Sequence, residues 1–539
     1  MQTNPTVSLS NGFLRLPREL RDVIYKMYVT VDGGYKCDSN ILVESKLRGE
    51  ARGRLTQANG EPIDLSLAYT CRIIANEMRG LALQTNNITF STFYSDGLRC
   101  HLNAFDFWKK DGLDQLRIEI FDLAREFLTG PVCDQLAAAY PQFVPLLDHM
   151  RTTEASSSTT IVDAAHYREA PSVYKEFVKR ALQLASSPNA KRFAEEMDRL
   201  CRGEKGAKRW QPGKLDILRV IDCPIEAWDI PSQDDLLEVV SYGYFRFPAA
   251  DDETPEALIK SRESDNSKYR LSAASLAVQF LSALPKNTRS FIRNIMLNED
   301  RDSVAESPCH ARGLIPYCQE NRLLRVERRA DLWWNVLRKH PYLSPEQRIS
   351  RPQRMKLFSN QVTRNVAVWV VEASILSSAG MPPGSFSLVL DAGPAPQLAE
   401  AIFQQVVQRD IAWHLACDEA VRRGYVPELS WEDRRCDNDD GLLRDGRTFE
   451  NFPNDMENVA SRRSVVRFTF DVGALGDVGK LVEESRDYDH DDWNEVWDSH
   501  DPKTWETVSP LPQWKEILMD NVVSRGETTT GERGSSTTV

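Results

Sequence analysis

The chain reads as a helix-rich α/β protein: a helical N-terminal module, then a helical region, then a mixed sheet flanked by helices. Three observations carry this. Apolar residues recur at three- and four-residue spacing in many separate segments, the period of a helix with one buried face. Two strand–loop–helix units stand in the second half, 385–390 leading into 396–423 and 465–471 leading into 475–484, an alternation that builds a sheet covered by helices. The 539 residues, 41% of them hydrophobic, exceed the ~250–300 that a single core usually holds. The expected divisions are a disordered lead over 1–11, the N-terminal module over 12–100, a helical region over 101–210, an α/β body over 211–425, an α/β extension over 426–524 and a disordered tail over 525–539.

The first helix starts at Pro17, whose missing N–H costs nothing in a first turn, and Glu19 complements the positive end of the helix dipole. Leu16, Leu20, Ile24 and Met27 or Tyr28 share one face, while Arg18, Arg21, Asp22 and Lys26 fall largely elsewhere. Residues 30–64 carry Gly33-Gly34, Gly49, Gly53 and Asn59-Gly60 and read as loop. Asp64 is an N-cap for a second helix whose buried face is Leu67, Cys71, Ile74, Met78 and Leu81. The β-formers of 88–93 predict a strand.

Helices follow over 113–127, closed by Gly130-Pro131, and over 173–184 and 191–201. Residues 217–221 fit a strand or a helix end. Leu271, Ala274, Val278 and Leu281 mark a helix that Pro285 stops, and strands are expected over 291–297 and 323–327. The run Met355, Phe358, Val362, Val366, Trp369, Ala373 and Leu376 predicts the longest helix.

The opening pattern Leu16-Pro17-x-Glu19-Leu20-x-x-x-Ile24 resembles the start of an F-box. With Leu67, Thr70, Cys71, Arg72, Ile74 and Glu77 it resembles the fungal F-box-like proteins over roughly residues 12–93. Segments 290–300, 310–334 and 385–423 have the look of the same uncharacterised group. The resemblance implies docking onto the small adaptor of a cullin-type ubiquitin ligase, with Leu16, Pro17, Leu20 and Ile24 as the partner-binding residues. The chain departs from the compact three-helix pattern in the long insertion between its first and second helices.

The formal net charge of -12 argues against a general nucleic-acid or anionic-membrane binder. Ten cysteines without a C-x-x-C pair, a polar N-terminus and no apolar run near ~20 residues fit a cytoplasmic or nuclear protein with reduced thiols. The apolar stretch 366–376 is short and holds Glu372.

No catalytic motif stands out. Asp391-Ala392-Gly393-Pro394 lies between a strand and a helix but lacks the glycine spacing of a nucleotide loop. Cys309-His310 has no third partner to name. The acidic run from Asp487 through His490 to Asp492 offers hard oxygens and an imidazole, yet Trp493 and Trp497 follow at helical spacing, so it reads as the cap of a buried helix. Asp437-Asn438-Asp439-Asp440-Gly441 lacks the glutamate a calcium loop requires. Arg312, Arg322, Arg325, Arg328 and Arg329 suit an acidic partner segment, or a salt-bridged face offset by Glu320 and Glu327. No catalytic residue, cofactor or metal is expected. The favoured reading is a non-enzymatic interaction protein. The alternatives are an enzyme with an unrecognised site, built on groups such as Cys309, His310 or Asp391, and a structural protein whose first helix is internal.

Overall fold

The computed structural model describes residues 12–50, 52–152, 168–202, 216–241, 265–338, 356–429, 449–500 and 504–523. Its strands are β1 (Tyr35–Cys37), β2 (Leu55–Gln57), β3 (Asn87–Ser91), β4 (Asn294–Glu299), β5 (Arg325–Asp331), β6 (Leu357–Phe358), β7 (Phe386–Asp391), β8 (Val466–Phe468) and β9 (Thr504–Trp505). Seven form one sheet in the order β2-β1-β3-β4-β5-β7-β8, all parallel except the β1–β2 pair. β6 and β9 make a separate antiparallel pair.

The helices that matter below are α1 (Arg18–Val29), α2 (Ser39–Leu47), α3 (Arg72–Glu77), α4 (Leu81–Thr85), α5 (Gln115–Leu123), α6 (Pro171–Ser186), α7 (Ala273–Ala283), α8 (Ser359–Ser374), α9 (Gln408–Arg422), α10 (Val478–Glu484) and α11 (His490–Ser499). The helix-rich α/β class read from the sequence is the one observed. The strands at 294–299, 325–331, 386–391 and 466–468 stand where they are expected, and so do α7 and α8.

The differences are instructive. The stretch 30–64 is not loop: it supplies β1, α2 and β2, with Gly33 and Gly34 making the left-handed turn into β1. The second helix is broken into a 3₁₀ turn at Ser66–Tyr69, then α3, then α4. Cys71 is extended, and Gly80 sits at φ +73°, where an added Cβ would run into the Phe291 ring. Gly130-Pro131 does not close a helix but opens one, with Pro131 in its first turn. Residues 217–221 are helical.

One face of the sheet packs on helices. Ile88, Phe90, Ile295, Leu297, Val326, Ala330, Leu388 and Leu390 all point inward and join a core that runs from Leu42 to Leu518. The inward positions also hold two charges. Glu299 on β4 and Arg328 on β5 are essentially without solvent contact. Arg328 donates Nε and Nη2 to Glu299 Oε1 at 3.0 and 2.8 Å, Nη1 to the Pro308 carbonyl at 3.0 Å and Nη2 to the Ser307 carbonyl at 2.7 Å. The Trp369 ring of α8 lies 4.6 Å from the guanidinium carbon. Glu299 in turn accepts the Ala273 and Ala274 N–H groups at the start of α7, at 3.0 and 3.2 Å. A strand carboxylate thus neutralises an arginine and caps a helix at once.

Glu372, the charge inside the apolar stretch of α8, plays a matching part. It is buried and accepts the N–H and hydroxyl of Ser172 at 2.8 and 2.7 Å, which caps α6. Burial pushes its carboxyl pKa up, against the pull of those two donors.

Removing one member of the buried pair leaves the other charge stranded. Arg328→Leu is expected to lower stability by about 3–5 kcal/mol. Equilibrium urea unfolding of the full chain checks it; a midpoint equal to wild type contradicts the assignment.

Candidate functional site

The first helix has two apolar faces, and it buries the one that the sequence pattern does not favour. Tyr25 and Val29 are buried against Ile74 and Met78, with Phe13, Leu14, Tyr28, Leu67, Cys71 and Leu81 packed around them. The expected stripe lies on the other side. Leu20 is 52% exposed, Val23 50%, Ile24 38% and Met27 75%. Leu16 is half-buried and Pro17 exposed at the entry to the helix. The internal contacts of this helix are made by Tyr25 and Val29.

Glu77 sets the relative placement of α1 and α3. Arg21 donates Nε and Nη2 to its two oxygens at 2.9 and 2.5 Å, and Tyr25 Oη donates at 2.7 Å. Arg18 approaches the same carboxylate at 3.3 Å. The remaining Arg21 nitrogen, Nη1, donates to the Leu16 carbonyl at 2.5 Å, which ties the entry of α1 to the same clamp. Arg21 first, and Tyr25 after it, hold the Glu77 carboxyl down to about 2. The Tyr25 phenol is pushed up to about 12 by burial and then by its hydrogen bond to Glu77.

The other end of α1 meets the 3₁₀ turn, where the Leu67 N–H donates to the Tyr28 hydroxyl at 3.3 Å. α3 therefore runs antiparallel to α1, Leu67 beside Tyr28 and Glu77 beside Arg21. Ile73, one turn before Glu77, and Tyr69 are 53% and 83% exposed. Six large apolar side chains are thus offered to solvent on two adjoining segments. Isolated exposed apolar residues are ordinary; a grouped set is not.

The other sequence candidates resolve as follows. His310 is buried, with Nδ1 facing the hydroxyls of Ser272 and Ser275 at 2.7 and 3.1 Å and Nε2 on the Ala305 carbonyl at 2.8 Å. Both ring nitrogens are engaged, Nδ1 at the start of α7 and Nε2 on the Ala305 carbonyl. The neighbouring Cys309 thiol is pushed well up by burial and by Glu372 and Glu306, the opposite of what a thiolate nucleophile needs. Asp391 accepts the Gly393 N–H and the Thr469 hydroxyl, each at 3.0 Å, and so shapes the strand-to-helix turn.

The acidic run near 490 is a helix cap. Asp489 accepts the N–H groups of Asp491 and Asp492, Asp492 reaches back to Asp489, and Trp493 and Trp497 are buried below. The loop 437–441 lies outside the described residues. Among the arginines, Arg312 pairs with Glu176, Arg328 with Glu299 and Arg329 with Glu327, whereas the exposed Arg325 side chain, among the described residues, donates only to backbone carbonyls. Among the described residues there is no cluster of three metal-ligating side chains, and no helix is long and apolar enough to cross a membrane. The described cysteines are free thiols.

Comparison with protein-family models, with curated proteins and with solved structures finds no match for this chain.

The clamp on Glu77 has an acid limit. A carboxylate held below its unfolded value stabilises the fold above that value, about 4.3, and loses the contribution as pH falls toward about 2. Glu77→Gln is therefore expected to raise amide exchange in α1 by about tenfold at pH 7, with the difference from wild type shrinking below about pH 4. Hydrogen exchange read by mass spectrometry over α1 checks both points. Equal protection at pH 7 removes the clamp's role.

Proposed function

We propose that this chain is a non-enzymatic protein-interaction protein, an F-box-like substrate-recognition adaptor that docks onto the adaptor of a cullin-type ubiquitin ligase. The observation that carries the reading is the exposure of Leu20, Val23, Ile24 and Met27 on one face of the helix that bears the Leu-Pro-x-Glu-Leu-x-x-x-Ile pattern. An amphipathic helix offering residues at i, i+3, i+4 and i+7 is the standard key for an apolar groove on a partner. Leu16 and Pro17 stand at the entry of that face. The buried Tyr25 and Val29 and the Glu77 clamp support the reading, because they fix the helix in place without using the outward residues. Leu20 is half exposed and gains little from internal packing, so a stability role leaves its apolar character without a use. In this reading the larger body receives the substrate protein, inside the cytoplasm or nucleus.

Co-purification of the full chain with the fungal ligase adaptor tests it. Wild type is expected to be retained, and Leu20→Asp combined with Ile24→Asp to reduce retention by more than about tenfold. Both side chains face solvent, so the double variant keeps its melting temperature. Tyr25→Ala serves as the control that loses binding through loss of packing. Failure of wild type to bind, or retention that survives the double substitution, rejects the proposal.

A further inference from the structure

Parallel sheets are ordinarily covered on both faces. Here, among the described residues, the second face of the sheet is largely polar and reaches solvent. Strand register sets its rows. One row runs Asn87, Asn294, Arg325; the next runs Lys36, Thr89, Met296, Glu327, Ser387; a third runs Ser91, Asn298, Arg329, Val389, Arg467. Every one of these side chains except Val389 is exposed or half-exposed, while the alternate residues on the same strands are mostly buried.

A groove of about 550 Å³ lies on this face across the starts of β3, β4, β5, β7 and β8. Its charged lining is Arg325, Arg467 and Glu327. Glu327 is already taken by Arg329 at 2.8 Å and Arg467 at 3.3 Å. Arg325 donates only to the Arg322 and Leu324 carbonyls, at 2.8 and 3.0 Å, and meets no carboxylate among the described residues. The Asn87 and Asn294 amides and the Ser387 hydroxyl add neutral donors. Ser385, 1% exposed, also lines the groove, and its hydroxyl has no hydrogen-bond partner among the described residues. A buried hydroxyl left unpaired is destabilising, and a ligand acceptor that reaches it relieves that cost. Phe386 and Val465 give the wall an apolar part.

We propose that this groove binds an extended acidic segment of a partner protein. The chemistry selects for carboxylates: the unmatched charge is arginine, on a chain whose net charge is -12. The dimensions select for a short extended peptide. Five adjacent strands span about 19 Å, the length of roughly six extended residues. A nucleic-acid strand or an anionic membrane is disfavoured, because the other end of the same face carries Asp300, Asp331 and Asp391, which repel a polyanion that runs on. This second surface is independent of α1 and stands whether or not α1 docks a ligase adaptor.

Fluorescence anisotropy on the full chain tests it, with a fluorescein-labelled peptide of alternating glutamate and valine as the probe. Wild type is expected to bind, more weakly as salt rises. Arg325→Glu with Arg467→Glu, both on the surface, is expected to weaken binding at least about tenfold with no change in the melting curve. Ser385→Ala is expected to weaken it by a smaller factor. Leu20→Asp with Ile24→Asp is expected to leave peptide binding intact, which separates the fate of this groove from that of the α1 face. The proposal is overturned if wild type does not bind the peptide, if the double arginine variant binds it equally, or if a lysine–valine peptide or a single-stranded oligonucleotide binds as well.

Discussion

The sheet and its helices are organised around one buried ion pair. Arg328 and Glu299 occupy inward positions on neighbouring strands, where hydrophobic side chains would normally sit. Two charges out of water are costly, and the cost is met only when every donor and acceptor is used. Here the guanidinium reaches a carboxylate, two carbonyls of the 307–314 turn and an indole face, while the carboxylate takes two N–H groups of α7. The pair therefore fixes β4, β5, α7, α8 and the 3₁₀ segment relative to each other. His310 completes the same corner from the other side, through the serines at the start of α7. Directional contacts of this kind specify one arrangement of elements that greasy contacts alone would leave sliding.

The same logic recurs at smaller scale. Glu372 holds the start of α6 across two hundred residues of sequence, and Glu77 holds α1 to α3. In each case a carboxylate on one element satisfies donors on another. The consequence for function is that the outward residues of α1 are relieved of structural duty. Tyr25 and Val29 supply the packing, Glu77 supplies the orientation, and Leu20, Val23, Ile24 and Met27 are left over.

Much of this was legible in the residues, and the gaps have physical causes. The strands of the second half follow from short apolar segments bounded by turns, and α8 from its unbroken apolar spacing. The capping role of the acidic run before Trp493 also follows from local pattern. What spacing cannot do is choose between two apolar faces of one helix. Leu16, Leu20 and Ile24 make the more regular stripe, yet the irregular pair Tyr25 and Val29 is the one covered, because the partners that decide it lie fifty residues away. The split of the second helix follows from extended Cys71 and left-handed Gly80, and only contact with Phe291 makes the latter obligatory. The inward position of Arg328 was unreadable for the same reason: its partner Glu299 stands on a different strand. The polar outer face of the sheet was half visible in the alternation of Arg325 to Asp331, but a charged strand looks alike whether solvent or a neighbour faces it.

The stretch between the first two helices carries a consequence for how the protein can be dissected. By contributing β1 and β2, and by leading into β3, it welds the amino-terminal module to the body through backbone hydrogen bonds rather than through a linker. Cleavage near residue 100 would not release a tidy module. It would strip three strands from the sheet and leave the β4 edge bare, an invitation to intermolecular strand pairing. α1 is therefore carried with the rest of the molecule, and its position relative to the body is set by the sheet.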